Sequence, residues 1–354
     1  MKTIITTPSL NANNKVAGIS SVTSFIIDHN IERKYIVFEI GKNDDVQRGI
    51  LWFLNILKTY FKWCYLMATE RKVLIHFNIA LAKPSIIRDS PLILIAKMLR
   101  KRMIIHLHGG DYLMHKKLPA WMKWTLKLTF AGKRPIIVLS PLEQTALKER
   151  LNVKSLILCN CVNLDDSNAF NRNYDNNDMN LLFLGRICEQ KGIGFIYQAL
   201  KLLKQKNVKF KFTIAGRGPE EQLYIQKFRQ LLNDDFLFKG VVSGDEKIKV
   251  LKENNIFLLP SFFEGLPMAL LEGMSFGLVP ITTNVGSIKY VITDGENGIF
   301  VNRYSSEDIY TVLQRLSIDS ELRKKLSINA RNHIYRNFKP EEYIIDLNKI
   351  YNYE

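Results

Sequence analysis

The stretch whose reading decides the fold is Ile256–Gly273, IFLLPSFFEGLPMALLEG. Its first four residues are apolar without alternation, as expected of a parallel strand covered on both faces. Pro260 and Ser261 open a loop, Gly265 gives that loop backbone freedom, and Pro267 suits the first turn of a helix. A strand, a loop and a helix make half of a βαβ unit, and the same pattern recurs on both sides of this stretch.

Outward from it, the second half of the chain carries strand candidates at Leu181–Leu184, Phe210–Ile214, Phe236–Phe238, Val279–Thr282 and Ile299–Val301, besides Ile256–Leu259 itself. The first half carries them at Lys2–Thr6, Tyr35–Ile40, Val73–Phe77, Met103–Leu107, Ile136–Leu139 and Leu156–Cys159. Helical stretches such as Pro119–Leu128 and Pro141–Leu151 lie between. Two successive βαβ series predict an α/β protein of two doubly wound, Rossmann-like domains. The length of 354 residues agrees, at roughly 150 residues per domain. The run NLDDSNAFNRNYDNNDMN at 163–180 is rich in Asn and Asp and has no period, so the join is expected near Asn173. Residues 1–172 then form one domain and 173–338 the other, with 339–354 a terminal helix returning toward the first.

Hydrophobic residues make up 47% and aromatic residues 11%, enough for packed cores, which excludes disorder. The four cysteines, Cys64, Cys159, Cys161 and Cys188, have no metal-ligand spacing and suit a reducing cytosol. MKTIITTPSL reads as a first strand rather than a signal peptide, and Lys58 and Lys62 interrupt the most apolar segment, Leu51–Met67. The net charge of +16 is lopsided: residues 1–160 hold 25 Lys+Arg against 10 Asp+Glu, and the remainder 25 against 24. A basic half suggests an anionic partner, phospholipid or nucleic acid, or else a solvated Lys-rich surface.

In open α/β sheets ligands sit beyond the carboxyl ends of the strands, so the loops after strands hold the candidate chemistry. After Leu184 comes GRICEQKG, with Arg186 and Lys191 in the turn. After Leu259, Glu264 stands in the loop and Glu272 follows along the helix. A nucleotide sugar presents a pyrophosphate, a ribose diol and a hydroxyl-rich ring. Arg186 and Lys191 supply charge for the pyrophosphate, and the helix start at Gly265, Leu266, Pro267 and Met268 supplies free N–H groups for the same anion. Glu272 is placed to accept the ribose hydroxyls and Glu264 those of the transferred sugar.

At this point the chain resembles the GT4 family of retaining glycosyltransferases, which have the two-domain GT-B fold. The resemblance rests on GR…KG, on the E-x7-E pair Glu264 and Glu272, on AGRGPEEQL at Ala215–Leu223, on GVVSGDEKIKVL at Gly240–Leu251 and on GLVPITTNVGS at Gly277–Ser287. HLHGGDY at His106–Tyr112 and Ala17–Gly18 match more weakly. The resemblance implies donor contacts at Gly18, Gly216, Arg217 and, through backbone, near Val241 and Val242. It implies that His108 touches the transferred sugar, and that His108, Glu264, Arg186 and Lys191 carry catalysis. His106 lies on the same strand face and reads as structural. Asp111 and Tyr112 are acceptor candidates, with Asp111 equally suited to capping the next turn. The family retains anomeric configuration. No nucleophile for a double displacement is recognisable, so a front-face route is expected, with Glu264 positioning the sugar. No D-x-D triplet occurs, so no metal and no cofactor is expected beyond the donor itself, UDP ranked ahead of GDP.

The expected acceptor is a saccharide or a polyprenyl-diphosphate-linked oligosaccharide of bacterial surface polysaccharide synthesis, at the cytoplasmic face of the plasma membrane. Trp121 and Trp124 with Lys123 and Lys127 either form a face dipping into that membrane or belong to an ordinary core-facing stripe with the lysines outside. Rival functions are weaker. No G-x-G-x-x-G follows the first strand, against a dinucleotide oxidoreductase. No nucleic-acid-binding module accompanies the charge. A nucleotide-sugar hydrolase or epimerase of the same fold remains the alternative.

Overall fold

A computed structural model describes residues 2–11, 18–41, 50–114, 117–173 and 178–353, except the side chains of residues 50–53 and of Asp111. It divides into two compact units, Met1–Asn160 with Glu341–Glu354, and Cys161–Pro340. The first unit holds strands β1 (Lys2–Thr7), β2 (Tyr35–Glu39), β3 (Val73–Ile79), β4 (Arg102–Leu107), β5 (Ile136–Val138) and β6 (Leu156–Ile157). The second holds β7 (Asn180–Leu184), β8 (Lys211–Ala215), β9 (Phe236–Gly240), β10 (Ile256–Leu259), β11 (Val279–Thr283) and β12 (Ile299–Val301).

Each unit is one six-stranded sheet, ordered β2-β1-β3-β4-β5-β6 and β12-β11-β10-β7-β8-β9, with every strand pairing parallel. Read from β9, the second sheet has the 3-2-1-4-5-6 order of the dinucleotide-binding fold, whose order reverses between β7 and β10. The central strands are apolar without alternation because helices cover both faces: every residue of β3 and of β11 is buried. At the edge this logic fails. The expected strand over Leu156–Cys159 shrinks to Leu156–Ile157, both exposed, since an edge strand pairs on one side only.

The expected boundary near Asn173 needs correction, because the division falls at Asn160/Cys161. Residues 163–172 have loop composition but are tied into the second unit. Arg331 donates to Ser167 O at 2.5 Å and Tyr335 Oη to Ser167 Oγ at 2.8 Å. Arg172 donates to Phe276 O at 2.7 Å. Asn and Asp here build an ordered turn rather than a free linker.

The helix Pro340–Tyr351 belongs to the first unit, where Tyr343, Leu347 and Tyr351 are buried. Arg102 donates to Tyr353 O and Tyr353 Oη to Met103 O, so the segment closes against β4. The helix Ala120–Phe130 buries Met122, Leu126, Thr129 and Phe130 and turns Trp121, Trp124 and Leu128 outward, with Lys123 and Lys127 exposed beside them. Of the two readings of that segment, the core-lining one is therefore not the structure. The helix Ile50–Thr69 presents a second outward stripe of Leu54, Leu57, Phe61 and Tyr65, flanked by Lys58 and Lys62.

Candidate active site

In the second unit the loops after β7 and β10 emerge on either side of the strand-order reversal, and both carry predicted residues. Phe262 N–H donates to Gln190 O at 2.8 Å, tying one loop to the other. Lys191 closes a short 3₁₀ turn, Glu189–Lys191, which aims its ammonium at Glu264: Nζ lies 2.5 Å from Oε1. Ser261 Oγ donates to the same oxygen at 2.6 Å. Glu264 is 6% exposed, so its charge is stabilised by these two donors rather than by water. Oε2 has no protein partner among the described residues.

The loop holding Glu264 is fixed from behind by Gly286, at φ +55 with its α-carbon against Glu264 O, where a Cβ would come within 1.8 Å. Ser287 N–H donates to Gly265 O at 3.1 Å. The Gly277–Ser287 motif therefore acts as a backrest for the glutamate loop. Pro267 starts the helix Met268–Ser275, which has no side-chain cap, so its first N–H groups point free from the loop end. Leu266 and Met268 are buried, while Gly265 and Pro267 are partly exposed.

Glu272, partly exposed, has its Oε1 2.8 Å from Lys247 Nζ. The Glu272 carboxylate raises the Lys247 ammonium above its usual range, against the opposing effect of burial. Both glutamates thus have one oxygen fixed by a lysine and the other open. Lys247 and Ser261 escaped the reading of the sequence. Lys247 stands 25 residues before Glu272, and only the fold brings the helix Gly244–Glu253 to it.

Arg186 is exposed and in no ion pair among the described residues. Gly216 is buried where a Cβ would meet Gly185 O at 1.8 Å, so tight crossing of the β7 and β8 loops accounts for it without a ligand. Arg217 is exposed, and its O accepts from Ile187 N–H at 3.0 Å. Val241, partly exposed, follows β9 at the sheet edge.

In the first unit, β3 and β4 place His76, Asn78, His106 and His108 on one face. His106 and His108 rings lie 4.1 Å apart, and His76 Nε2 is 3.3 Å from His106 Nδ1. His76 Nδ1 is 2.8 Å from the Tyr351 hydroxyl, which in turn accepts from Tyr35 Oη at 3.4 Å. Asn78 Nδ2 donates to Thr6 O at 3.0 Å, so Asn78 Oδ1, 2.8 Å from His108 Nε2, must accept. His108 then carries its proton on Nε2 and leaves Nδ1 as a hydrogen-bond acceptor. Burial lowers His76 and His108 to about 3 and His106 well below its usual value, so all three are neutral at physiological pH. His106 is completely buried, and His108 reaches the carboxyl end of β4 and is partly exposed.

Gly18 opens the helix Gly18–His29 with open space where a Cβ would stand. Its neighbour Ala17 and the Asp111 side chain lie outside the described residues. Tyr112 is partly buried, and its N–H donates to Leu81 O at 3.0 Å. Among the described residues no group of three His, Cys, Asp or Glu is placed to hold a metal ion, and no helix is long and apolar enough to cross a membrane.

Residues 165–333 match the family model for glycosyl transferases group 1. An uncharacterized glycosyltransferase of Methanocaldococcus jannaschii is 28% identical over 254 residues, covering 70% of this chain and 67% of its own. A second from that organism is 29% identical over 160 residues, 45% of this chain and 40% of its own. The amylovoran biosynthesis glycosyltransferase of Erwinia amylovora is 28% identical over 257 residues, 69% of this chain and 60% of its own. The chain thus spans less than two thirds of two of these three relatives. Among solved structures, sucrose-phosphate synthase from Thermosynechococcus elongatus superposes with a TM-score of 0.76 at 17% identity over 99% of this chain and 98% of its own. The Anabaena HepE protein in complex with UDP-glucose does so at 0.73 and 14%, over 99% and 98%. These likenesses are of fold: the chain has the two-domain GT-B fold, and its residues 165–333 are similar to the glycosyl transferases group 1.

Proposed function

We propose that the chain is a retaining, metal-independent hexosyltransferase that takes its sugar from a nucleotide diphosphate donor, UDP ahead of GDP. The observation that carries this reading is the pair of glutamates at the strand-order reversal, each fixed by a lysine through Oε1 and open at Oε2. Two open carboxylate oxygens on rigid supports suit two sets of hydroxyls, the ribose diol at Glu272 and the transferred sugar at Glu264. Arg186, Lys191 and the uncapped helix start at Met268 supply positive potential for the diphosphate as it leaves, which is where charge develops in the transition state. Lys191 and Ser261 fix the Glu264 carboxylate through Oε1, which favours a positioning role and front-face departure. His108, neutral with Nδ1 free to accept, suits a sugar hydroxyl. The complexed Anabaena protein and the amylovoran enzyme lend support to a UDP-sugar donor and a polysaccharide product.

For the acceptor we propose a saccharide, carried on a polyprenyl diphosphate at an anionic membrane surface and built into a bacterial surface polysaccharide. The outward tryptophans of Ala120–Phe130 and the Phe61–Tyr65 stripe, each flanked by lysines, support that placement.

The donor reading is tested by thermal shift without metal against UDP, GDP and ADP. A selective shift that survives EDTA and is lost in Glu272→Ala is expected; a shift equal in Glu272→Ala would remove the ribose role. Flotation with anionic liposomes tests the acceptor side, where Trp121→Ala/Trp124→Ala should abolish recovery in the lipid fraction. Product analysis without acceptor separates transfer from hydrolysis.

A further inference from the structure

Beside the glutamate loop, three aromatic side chains cluster at the carboxyl edge of the second sheet. Phe262 belongs to the loop after β10, two residues before Glu264, and its ring lies 4.4 Å from that of Tyr304. Phe195, on the helix after the Lys191 turn, lies 5.8 Å from Phe262 and 6.0 Å from Tyr304. Phe195 and Phe262 are partly exposed, and Tyr304 is 60% exposed.

Tyr304 is held there against backbone preference. Its φ is +65, a region bulky side chains avoid, and three of the four other non-glycine residues with positive φ are Asn, which tolerates it. The turn is clamped from both sides by Asp308. Asn302 N–H donates to Oδ2 at 2.9 Å, and Ser305 Oγ donates to Oδ1 at 2.8 Å while accepting from Asp308 N–H. A glycine would relieve the strain, so the side chain is what the position gains. Backbone strain retained at a clamped, exposed aromatic is the kind of outlier that points to a ligand.

The fold restricts which ligand. Tyr304 follows β12 and Val241 follows β9, the opposite edges of a six-stranded sheet. Five strand spacings separate them by roughly 24 Å, so a base near Val241 does not reach the aromatics. Glu264 lies on the β10 loop with Phe262, on the sugar side of the donor. An uncharged aromatic face next to a carboxylate that accepts hydroxyls matches the apolar C–H face and polar rim of a pyranose.

We infer that Phe195, Phe262 and Tyr304 form a stacking platform for a pyranose ring, continuous with the Glu264 loop. The inference rests on the proposed function for its ligand class. The ring is that of the transferred sugar or of a saccharide acceptor.

The test is saturation-transfer NMR on the full chain with UDP present, using the methyl α-pyranosides of glucose, galactose, mannose and N-acetylglucosamine as probes. At least one probe should receive saturation at its ring C–H protons. Tyr304→Gly should weaken its binding at least fivefold, and Phe262→Leu should also weaken it. Because glycine suits the backbone, Tyr304→Gly should keep or raise Tm, by about 3 °C, and should leave the UDP thermal shift unchanged. UDP-glucose displacing the probe assigns the ring to the transferred sugar; persistence of the probe assigns it to the acceptor. No probe bound by the wild-type chain, or equal binding in a folded Tyr304→Gly, overturns the platform. A wild-type chain that binds a probe but shows no UDP shift sinks the donor reading and leaves the platform standing, since the probes contain no nucleotide.

Discussion

At Glu264 and Glu272 the same arrangement serves two depths of burial, and the consequences of breaking it differ. The Lys247–Glu272 pair is partly exposed on both sides, 28% and 17%, so water replaces much of what the lysine supplies. Such a pair contributes about 0.5–1 kcal/mol, and Lys247→Met should weaken nucleotide binding only roughly 2- to 5-fold. Glu272→Ala removes the acceptor itself, and hydrogen bonds to a charged group are worth about 1.5–3 kcal/mol. Its loss should therefore be roughly 10- to 150-fold, and titration calorimetry with UDP would separate the two variants. Equal losses would mean that Lys247 touches the nucleotide directly. Glu264→Gln should leave nucleotide binding intact, since its carboxylate faces the sugar, and lower kcat by roughly 10²–10³. Near-full turnover in that variant would end the positioning role. The two glutamates were legible because their spacing sits astride a strand, a loop and a helix start. Their lysines were not equally so: Lys191 shares a motif with Arg186, whereas Lys247 is one lysine among many on a solvated helix until tertiary structure delivers it.

The strands and helices of the first unit set an acid-labile element against an alkali-sensitive one. His76, His106 and His108 have folded-state pKa values depressed by burial, so the fold loses stability as pH falls below the unfolded value near 6.5. Each contributes up to about 1.4 kcal/mol per pH unit, or roughly 4 for the three. Glu143 behaves oppositely. Burial raises it to about 7 although Leu139 N–H donates to Oε2, and it costs stability as pH rises from 4.5 to 7. Three groups outweigh one below 6.5, so first-unit stability should peak near pH 6.5–7 and fall steeply on acidification. Thermal melts from pH 4 to 9 would show it, and Glu143→Gln should add up to about 3 kcal/mol above pH 7 and steepen the fall between pH 6.5 and 4.5, where protonation of Glu143 offsets the histidines in the wild type. A symmetric effect at both ends would contradict the assignment. Ser140 Oγ accepts from Glu143 N–H, so Ser140-Pro-Leu-Glu143 is a helix-start signal readable in the sequence, whereas its burial is not. The central strands were readable for a related reason: a parallel strand covered on both faces leaves no polar alternation to confuse it. Where one side is open, at Leu156–Ile157, the reading overran by two residues.

Across the whole molecule the chain passes between the units twice, at Asn160/Cys161 and again at Pro340/Glu341. The first crossing was misplaced because Asn and Asp serve ordered turns and linkers alike, and only partners such as Arg331 and Tyr335 tell them apart. Removing residues 341–354 takes Tyr343, Leu347 and Tyr351 from the first unit, each fully buried apolar side chain worth about 1.5–3 kcal/mol. It also takes the hydroxyl from His76. Truncation at Pro340 should therefore unfold the first unit below 37 °C while the second melts as before; two unchanged transitions in calorimetry would show that the segment is dispensable. On the ribosome the same connectivity inverts the usual sequence of events. The unit whose first strand emerges earliest cannot close until Tyr351 has been made, after the contiguous second unit is already complete. A nascent chain stalled at Pro340 should then be cut by protease within residues 1–160 and resist it within 161–340. Chain extended through residue 354 and released should resist in both, so that synthesis of residues 341–354 is the signal for the first unit to fold.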